Sequence, residues 1–192
     1  MATEKEASIE GQLASELNIT CETKRLRRSW ASVDNQRLVK ICKWAKEQGF
    51  EHLSAISVVD WAEENSYELL YHLWSYEDKT LLTLKTKIER ENPAINSVSP
   101  VWKESAQIHE RELHELFGIA FAGNDDLAPL FLEDWQGPPP FRKDFNWREY
   151  VRSEYYDRGY VLGFLQYGQE IKRLHSSQHV HSRLPSPAGS SI

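Results

Sequence analysis

Between residues 53 and 88 the chain runs LSAISVVDW, SYELLYHLWSY and KTLLTLKTKI, three segments rich in β-branched, aliphatic and aromatic residues. The third alternates Leu and Ile with Thr and Lys, and the second mixes aromatics with alternating polar residues. Successive side chains on a strand point to opposite faces, so this period predicts a sheet with one buried face. The connector between the last two segments is only Glu77-Asp78-Lys79, which favours an antiparallel hairpin. Any fold for this chain has to be built around that sheet.

Upstream, TKRLRRSWAS suggests a first strand, and Val33-Asp34 opens a helical pattern through Leu38, Ile41, Cys42 and Ala45 that stops near Gly49. After Asn92-Pro93, SVSPVW is expected as a short edge strand interrupted by Pro100. A second helix is expected from about Ser105, as N-cap, to Phe117, with Gly118 at the stop position. The order predicts an α+β fold, a small mixed or antiparallel sheet with two main helices followed by an extended C-terminal arm. Residues 1–20 are expected as a tail or short docking helix, in which Ile9, Leu13 and Leu17 recur at four-residue spacing. Residues 21–121 form the α+β domain, and 122–192 a proline-containing arm and tail. Such a long irregular segment is best explained by a partner on which it lies.

Bulk properties exclude several classes. A net charge of −6 and a pI near 5.7 oppose nucleic-acid binding, which needs cationic surface to neutralise phosphates. The basic run Lys24-Arg25-Leu26-Arg27-Arg28 is therefore expected as a solvated face or a protein contact. Cys21 and Cys42 are too few to build an iron–sulfur cluster or a structural zinc site with thiolates, and spacing leaves a disulfide between them open. The acidic MATEKEASIEGQLASEL has no apolar core and is not expected to be a signal peptide, and no run is long enough to span a bilayer. Attachment to a membrane would go through a partner. His175, His179 and His181 cluster in a Ser- and Pro-rich tail, a composition common without function, so no metal site is expected.

The chemistry-bearing stretch is ERELHELFGIAFAGNDDLAPLFLEDWQGPPPFRKDF, residues 110–145. Leu113, Leu116 and Phe117 form one apolar helical stripe, surrounded by Glu110, Arg111, Glu112 and Glu115. Arg111 and Glu115 are four apart, within reach of each other across a turn. The acidic cluster and the pair Arg142-Lys143, followed by Asp144, flank one loop and are expected to close it by complementary charge, giving a pre-shaped docking surface. Paired carboxylates such as Glu110 and Glu112 can do acid–base work, but no nucleophile with an oriented base accompanies them, and GIAFAG is not a phosphate cradle. Pro138-Pro139-Pro140 is short for a polyproline ligand. The stand-alone enzyme and the peptide-binding adaptor therefore rank behind a scaffold.

The stretch resembles the signature of the 30 kDa subunit of respiratory complex I, also called the C subunit of NADH-quinone oxidoreductase. Glu110-Arg111-Glu112, two free positions, Glu115 and Leu116-Phe117 match its core, and GIAFAG, Asp126-Leu127, LFLEDW, PFRKDF, the aspartate ending SVVD and YELLYHLWSY also look like the family. The resemblance covers about residues 24–150. Two positions depart: Asn124 stands where the family has His or Lys, and Ala128 where it has Lys, Arg or Pro. The resemblance implies a non-catalytic scaffold subunit in the peripheral arm of a membrane-attached, ion-translocating oxidoreductase, on the cytoplasmic face. It implies packing on the 49 kDa, hydrogenase-large-subunit-like D subunit, near the quinone or methanophenazine site. Iron–sulfur subunits B and I would be further partners and the membrane arm an indirect one. No cofactor is expected on this chain; iron–sulfur clusters, and flavin with F420H2 or NADH, would belong to partners. Glu110, Arg111, Glu112, Glu115, Arg142, Lys143 and Asp144 are the expected structural or interface residues, and none is expected to be catalytic. Asn124, the LAPLFLEDW phrase and the short length point to the F420H2 dehydrogenase, beside NADH-quinone oxidoreductase; membrane-bound energy-converting hydrogenases are the alternative.

Overall fold

The three alternating segments are the strands β3 (His52–Trp61), β4 (Ser66–Ser75) and β5 (Thr80–Glu89). The computed structural model describes residues 4–156. β4 and β5 pair antiparallel without interruption from Ser75↔Thr80 to Ser66↔Glu89. Their turn is held by Ser75 Oγ, which donates to Asp78 Oδ2 at 2.9 Å, and Lys79 takes the left-handed conformation at φ 54°. Along β4, Tyr67, Leu69, Tyr71, Leu73 and Ser75 are buried and the residues between them half-buried, as the alternation requires. β3 pairs antiparallel with β4 through a bulge between Leu53 and Ala55.

TKRLRRSWAS is not one strand but parts of two. β1 (Cys21–Arg25) and β2 (Arg28–Ser32) form a hairpin whose turn holds Arg27 at φ 61°. β2 then runs parallel to β5, giving the mixed sheet order β1-β2-β5-β4-β3. Cys42 is a buried free thiol, and Cys21 is half-buried.

Asp34 accepts from Gln36 N at 2.8 Å and opens a 3-10 turn, Asn35–Arg37, that leads into α2 (Leu38–Glu47). Before these comes α1 (Glu4–Leu17), with Ile9, Leu13 and Leu17 buried in the same core as α2. Trp44 Nε1 donates to Glu16 Oε2 at 3.0 Å, and Arg37 donates to the Leu17 carbonyl. The N-terminal segment expected to wait for a partner thus folds onto its own chain, because Trp44 and Arg37 supply the burial and the helix C-terminal partner.

β6 (Ala94–Asn96) precedes SVSPVW, which is turn rather than strand, and pairs parallel with β7 (Ala120–Ala122). The crossover between them is α3 (Lys103–Phe117), which starts two residues before the expected Ser105 cap and ends on Gly118 at φ 77°. The compact unit runs Met1–Phe145, so the proline loop after residue 121 belongs to the domain and not to an arm. A second unit begins at Asn146; of it, α4 (Trp147–Val151) and a π-type turn (Arg152–Tyr156) are described. The expected arm from 157 onward, with His175, His179 and His181, lies outside the described residues.

Candidate functional site

In α3 the spacing Ala106, Glu110, Leu113 places Glu110 on the inward stripe, and it is 0% exposed. Its Oε1 accepts from Val98 N at 2.8 Å, and its Oε2 accepts from Ser97 Oγ at 2.7 Å and Asn124 Nδ2 at 2.8 Å. Burial pushes its pKa up, the three donors oppose that, and the balance leaves it above the ordinary carboxylate value. Cys42 from α2 and Tyr71 from β4 are its titratable neighbours. Both are raised chiefly by burial, with the Glu110 charge adding to it. Asn124, the first departure from the family pattern, is therefore the direct partner of Glu110 and meets it with a neutral amide.

Arg111 and Glu115 do something other than pair with each other across a turn. Arg111 donates from Nε to the Ala128 carbonyl at 3.1 Å, from Nη2 to the Pro129 carbonyl at 3.2 Å and from Nη1 to Asp126 Oδ2 at 3.2 Å. Glu115 accepts the backbone N–H groups of Leu130 at 3.3 Å, Phe131 at 3.0 Å and Leu132 at 2.7 Å. Burial raises the Glu115 pKa, but these three amides outweigh it and the net shift is downward. One helix turn thus grips consecutive peptide groups of the loop. Ala128, the second departure, takes part through its main chain. Glu112 sits half-buried on the flank of α3 and makes no side-chain hydrogen bond within the described residues.

The far end of the loop is latched by Asp60 and Arg90, which stand outside the charged stretch at 110–145. Arg90 forks onto Asp60, Nε to Oδ1 at 2.7 Å and Nη2 to Oδ2 at 3.0 Å. It also donates to both Asp144 oxygens, at 3.1 and 2.8 Å. Arg142 completes the set with bonds to Asp144 at 3.1 and 3.2 Å, and Lys143 N donates to Asp60 Oδ2 at 2.8 Å. Side-chain exposure is 8% for Arg90, 3% for Asp60 and 55% for Asp144. Burial raises the Asp60 pKa, yet Arg90 and the Lys143 amide bring it below the ordinary value. Arg142 and then Arg90 hold Asp144 well below its own. The loop is therefore closed by Asp60-Arg90-Asp144, and not by attraction between the acidic cluster at 110–112 and Arg142-Lys143. Arg142 is engaged inside the latch, while Lys143 is exposed and contributes its amide.

Residues 31–151 match the family model described as respiratory-chain NADH dehydrogenase, 30 Kd subunit. The chain belongs to that family. It is 38% identical over 117 residues to the C subunit of the F(420)H(2) dehydrogenase of Methanosarcina mazei, covering 60% of this chain and 73% of that one. It is 34% identical over 109 residues, 56% of its length, to the joined C/D subunit of the NADH-quinone oxidoreductase of Phocaeicola vulgatus, of which the match covers 20%. Among solved structures, a chain of the membrane-bound sulfane sulfur reductase, an archaeal respiratory membrane complex, superposes with a TM-score of 0.74. It is 31% identical, and 79% of this chain and 92% of that chain are covered.

In this chain the family signature is a device for fixing a loop. Glu110 anchors the turns at 97–98 and 124 from inside, and Arg111 and Glu115 hold 126–132 from the flank. Gly118 then lets Pro139 lie against the helix end. A Cβ built there would meet Pro139 Cγ at 2.9 Å, on a backbone at φ +77°. Gly118→Ala is expected to lower stability by about 1–2 kcal/mol from the left-handed backbone alone, more if Pro139 cannot shift. A thermal melt reads this as about 2–4 °C per kcal/mol for a chain of this size; an unchanged melt would mean the turn can be rebuilt.

Asp60 had a sequence signal, an acidic residue closing an otherwise apolar strand. Arg90 and Ser97 had none, since their partners lie in distant segments.

Proposed function

We propose that the chain is a non-catalytic scaffold subunit of the peripheral arm of a membrane-attached, ion-translocating oxidoreductase of the complex I type. It packs on the 49 kDa, hydrogenase-large-subunit-like D subunit near the quinone or methanophenazine site, with iron–sulfur subunits B and I as further partners, on the cytoplasmic face. Iron–sulfur clusters, and flavin with F420H2 or NADH, reside on partner chains. The observation that carries this reading is what the family signature does here: its charged residues fix the chain's own loop. Glu110 is wholly enclosed, so the Glu110 and Glu112 pair cannot serve as acid and base on a bound substrate.

The choice of the D-type subunit as partner is supported by the Phocaeicola vulgatus relative, whose name joins C and D in one chain. The F420H2 dehydrogenase type is supported by the 38% identity to the Methanosarcina mazei protein. A second reading, a complex of the sulfane sulfur reductase kind, is supported by the 0.74 TM-score over 79% of the chain. Among the described residues no helix is long and apolar enough to cross a membrane, so attachment is assigned to partners.

Gentle detergent purification through a tag on this chain, with mass spectrometry and an absorption spectrum, tests the proposal. A hydrogenase-like large subunit with iron–sulfur absorbance is the expected result, and the donor-side protein in the same preparation names the complex. A colourless chain purified alone would overturn it.

A further inference from the structure

Five hydrogen bonds made by Arg111 and Glu115 fix the main chain of Ala128–Leu132, and a sixth joins Arg111 to the Asp126 carboxylate. The side chain carried by that rigid segment is nevertheless turned outward: Phe131 is 65% exposed, while Leu130 and Leu132 on either side are half-buried. Other exposed aromatics of this unit rest on their own neighbours. Tyr76 packs against Trp74 and His52, Trp61 donates to Glu68, and Phe141 stands edge-on to Phe117. Phe131 has no ring contact among the described residues. It is bracketed along the loop by the exposed carboxylates Asp125, Asp126, Glu133 and Asp134, of which Asp126 is paired with Arg111.

An aromatic knob on a backbone already held loses little conformational freedom when it docks, and such residues dominate interface energetics when they enter a pocket. The acidic surround specifies the rim of that pocket, since like charges would repel and an uncharged rim would leave the carboxylates desolvated without partners. We propose that Phe131 is the anchor by which this loop plugs into an apolar cleft on the D-type partner, a cleft rimmed by Lys or Arg side chains. The inference rests on the proposal that a D-type chain is the partner.

The test uses the full-length chain, tagged and co-expressed with the D-type protein of the same host, with the D-type chain identified by mass spectrometry. Phe131→Ser is expected to retain less than about a tenth of the wild-type amount, as loss of a central interface aromatic does. Glu133→Lys combined with Asp134→Lys is expected to lower retention several-fold, and Tyr76→Ser to leave it unchanged. The melting temperature of the chain purified without partner is expected to stay within about 2 °C for Phe131→Ser, as for other surface changes. Full retention by Phe131→Ser, equal loss with Tyr76→Ser, or a large fall in the free chain's melting temperature would each overturn the anchor. Full retention by the charge-reversed variant would overturn the basic rim. If the wild-type chain retained no D-type protein, the assembly reading itself would fail, and the anchor with it.

Discussion

Arg90→Leu is expected to destabilise the Met1–Phe145 unit by about 3–5 kcal/mol, the range for removing one partner of a buried ion pair. Asp60 would remain with 3% of its side chain exposed and no guanidinium, holding only the Lys143 amide. Asp144→Asn should cost much less, because that side chain is 55% exposed and Asp60 still neutralises Arg90. Replacing Asp60 and Arg90 together by leucine should recover much of the loss, since an apolar pair carries no desolvation penalty. Urea unfolding with an unchanged m-value is the measurement. The pH profile gives an independent check. The Asp60 and Asp144 carboxyls are depressed in the fold, so their contribution is present above about pH 4 and lost as pH falls through their folded values. In Arg90→Leu that acid-side loss should shrink. A cost below about 1 kcal/mol, the size of an exposed ion pair, would show that water reaches Asp60.

Glu110→Ala is the second large effect, expected at about 3–5 kcal/mol from stranded donors and a new cavity together. It leaves Val98 N and Asn124 Nδ2 without their carboxylate acceptor, and Ser97 Oγ with Ser99 alone, at positions no more than 8% exposed. Glu110→Gln keeps the shape and can return part of the hydrogen bonding, so it should cost less. Here the pH sign is opposite to that of the latch. A carboxyl raised in the fold contributes stability that is full below its unfolded value, about pH 4.3, and is lost as pH rises through the folded value. The advantage of wild type over Glu110→Gln should therefore be larger near pH 5 than near pH 8. An advantage that grew with pH instead would mean that the three donors outweigh burial and the carboxyl titrates low.

These two sites also show where sequence stops being legible. β3, β4 and β5 could be read because each carries a period of two with one face inward, a local property. Gly49 and Gly118 could be read because left-handed helix ends select glycine. Arg27 reaches a similar conformation without a Gly or Asn to announce it, so the β1–β2 hairpin reads as one strand. The burial of α1 depends on Trp44 and Arg37, which lie 28 and 20 residues from their partners. Glu110 reads as surface because it stands in a charged cluster, although its spacing from Ala106 and Leu113 puts it in the apolar stripe. The function of Arg111 and Glu115 is hidden for another reason: main-chain groups of the loop are their partners, and a main-chain partner leaves no residue type to recognise.

The latch has a consequence for synthesis of the chain. Asp144 lies 54 positions after Arg90, and the Lys143 amide 83 after Asp60. At about 5–20 residues per second, the ribosome adds the second carboxylate roughly 3–11 s after the arginine it neutralises. During that interval the sheet can assemble around an Asp60–Arg90 fork that is open on one side. The nascent domain gains its last increment of stability only when residues 142–144 are made, so an unfinished chain remains distinguishable from a finished one by how easily that fork comes apart.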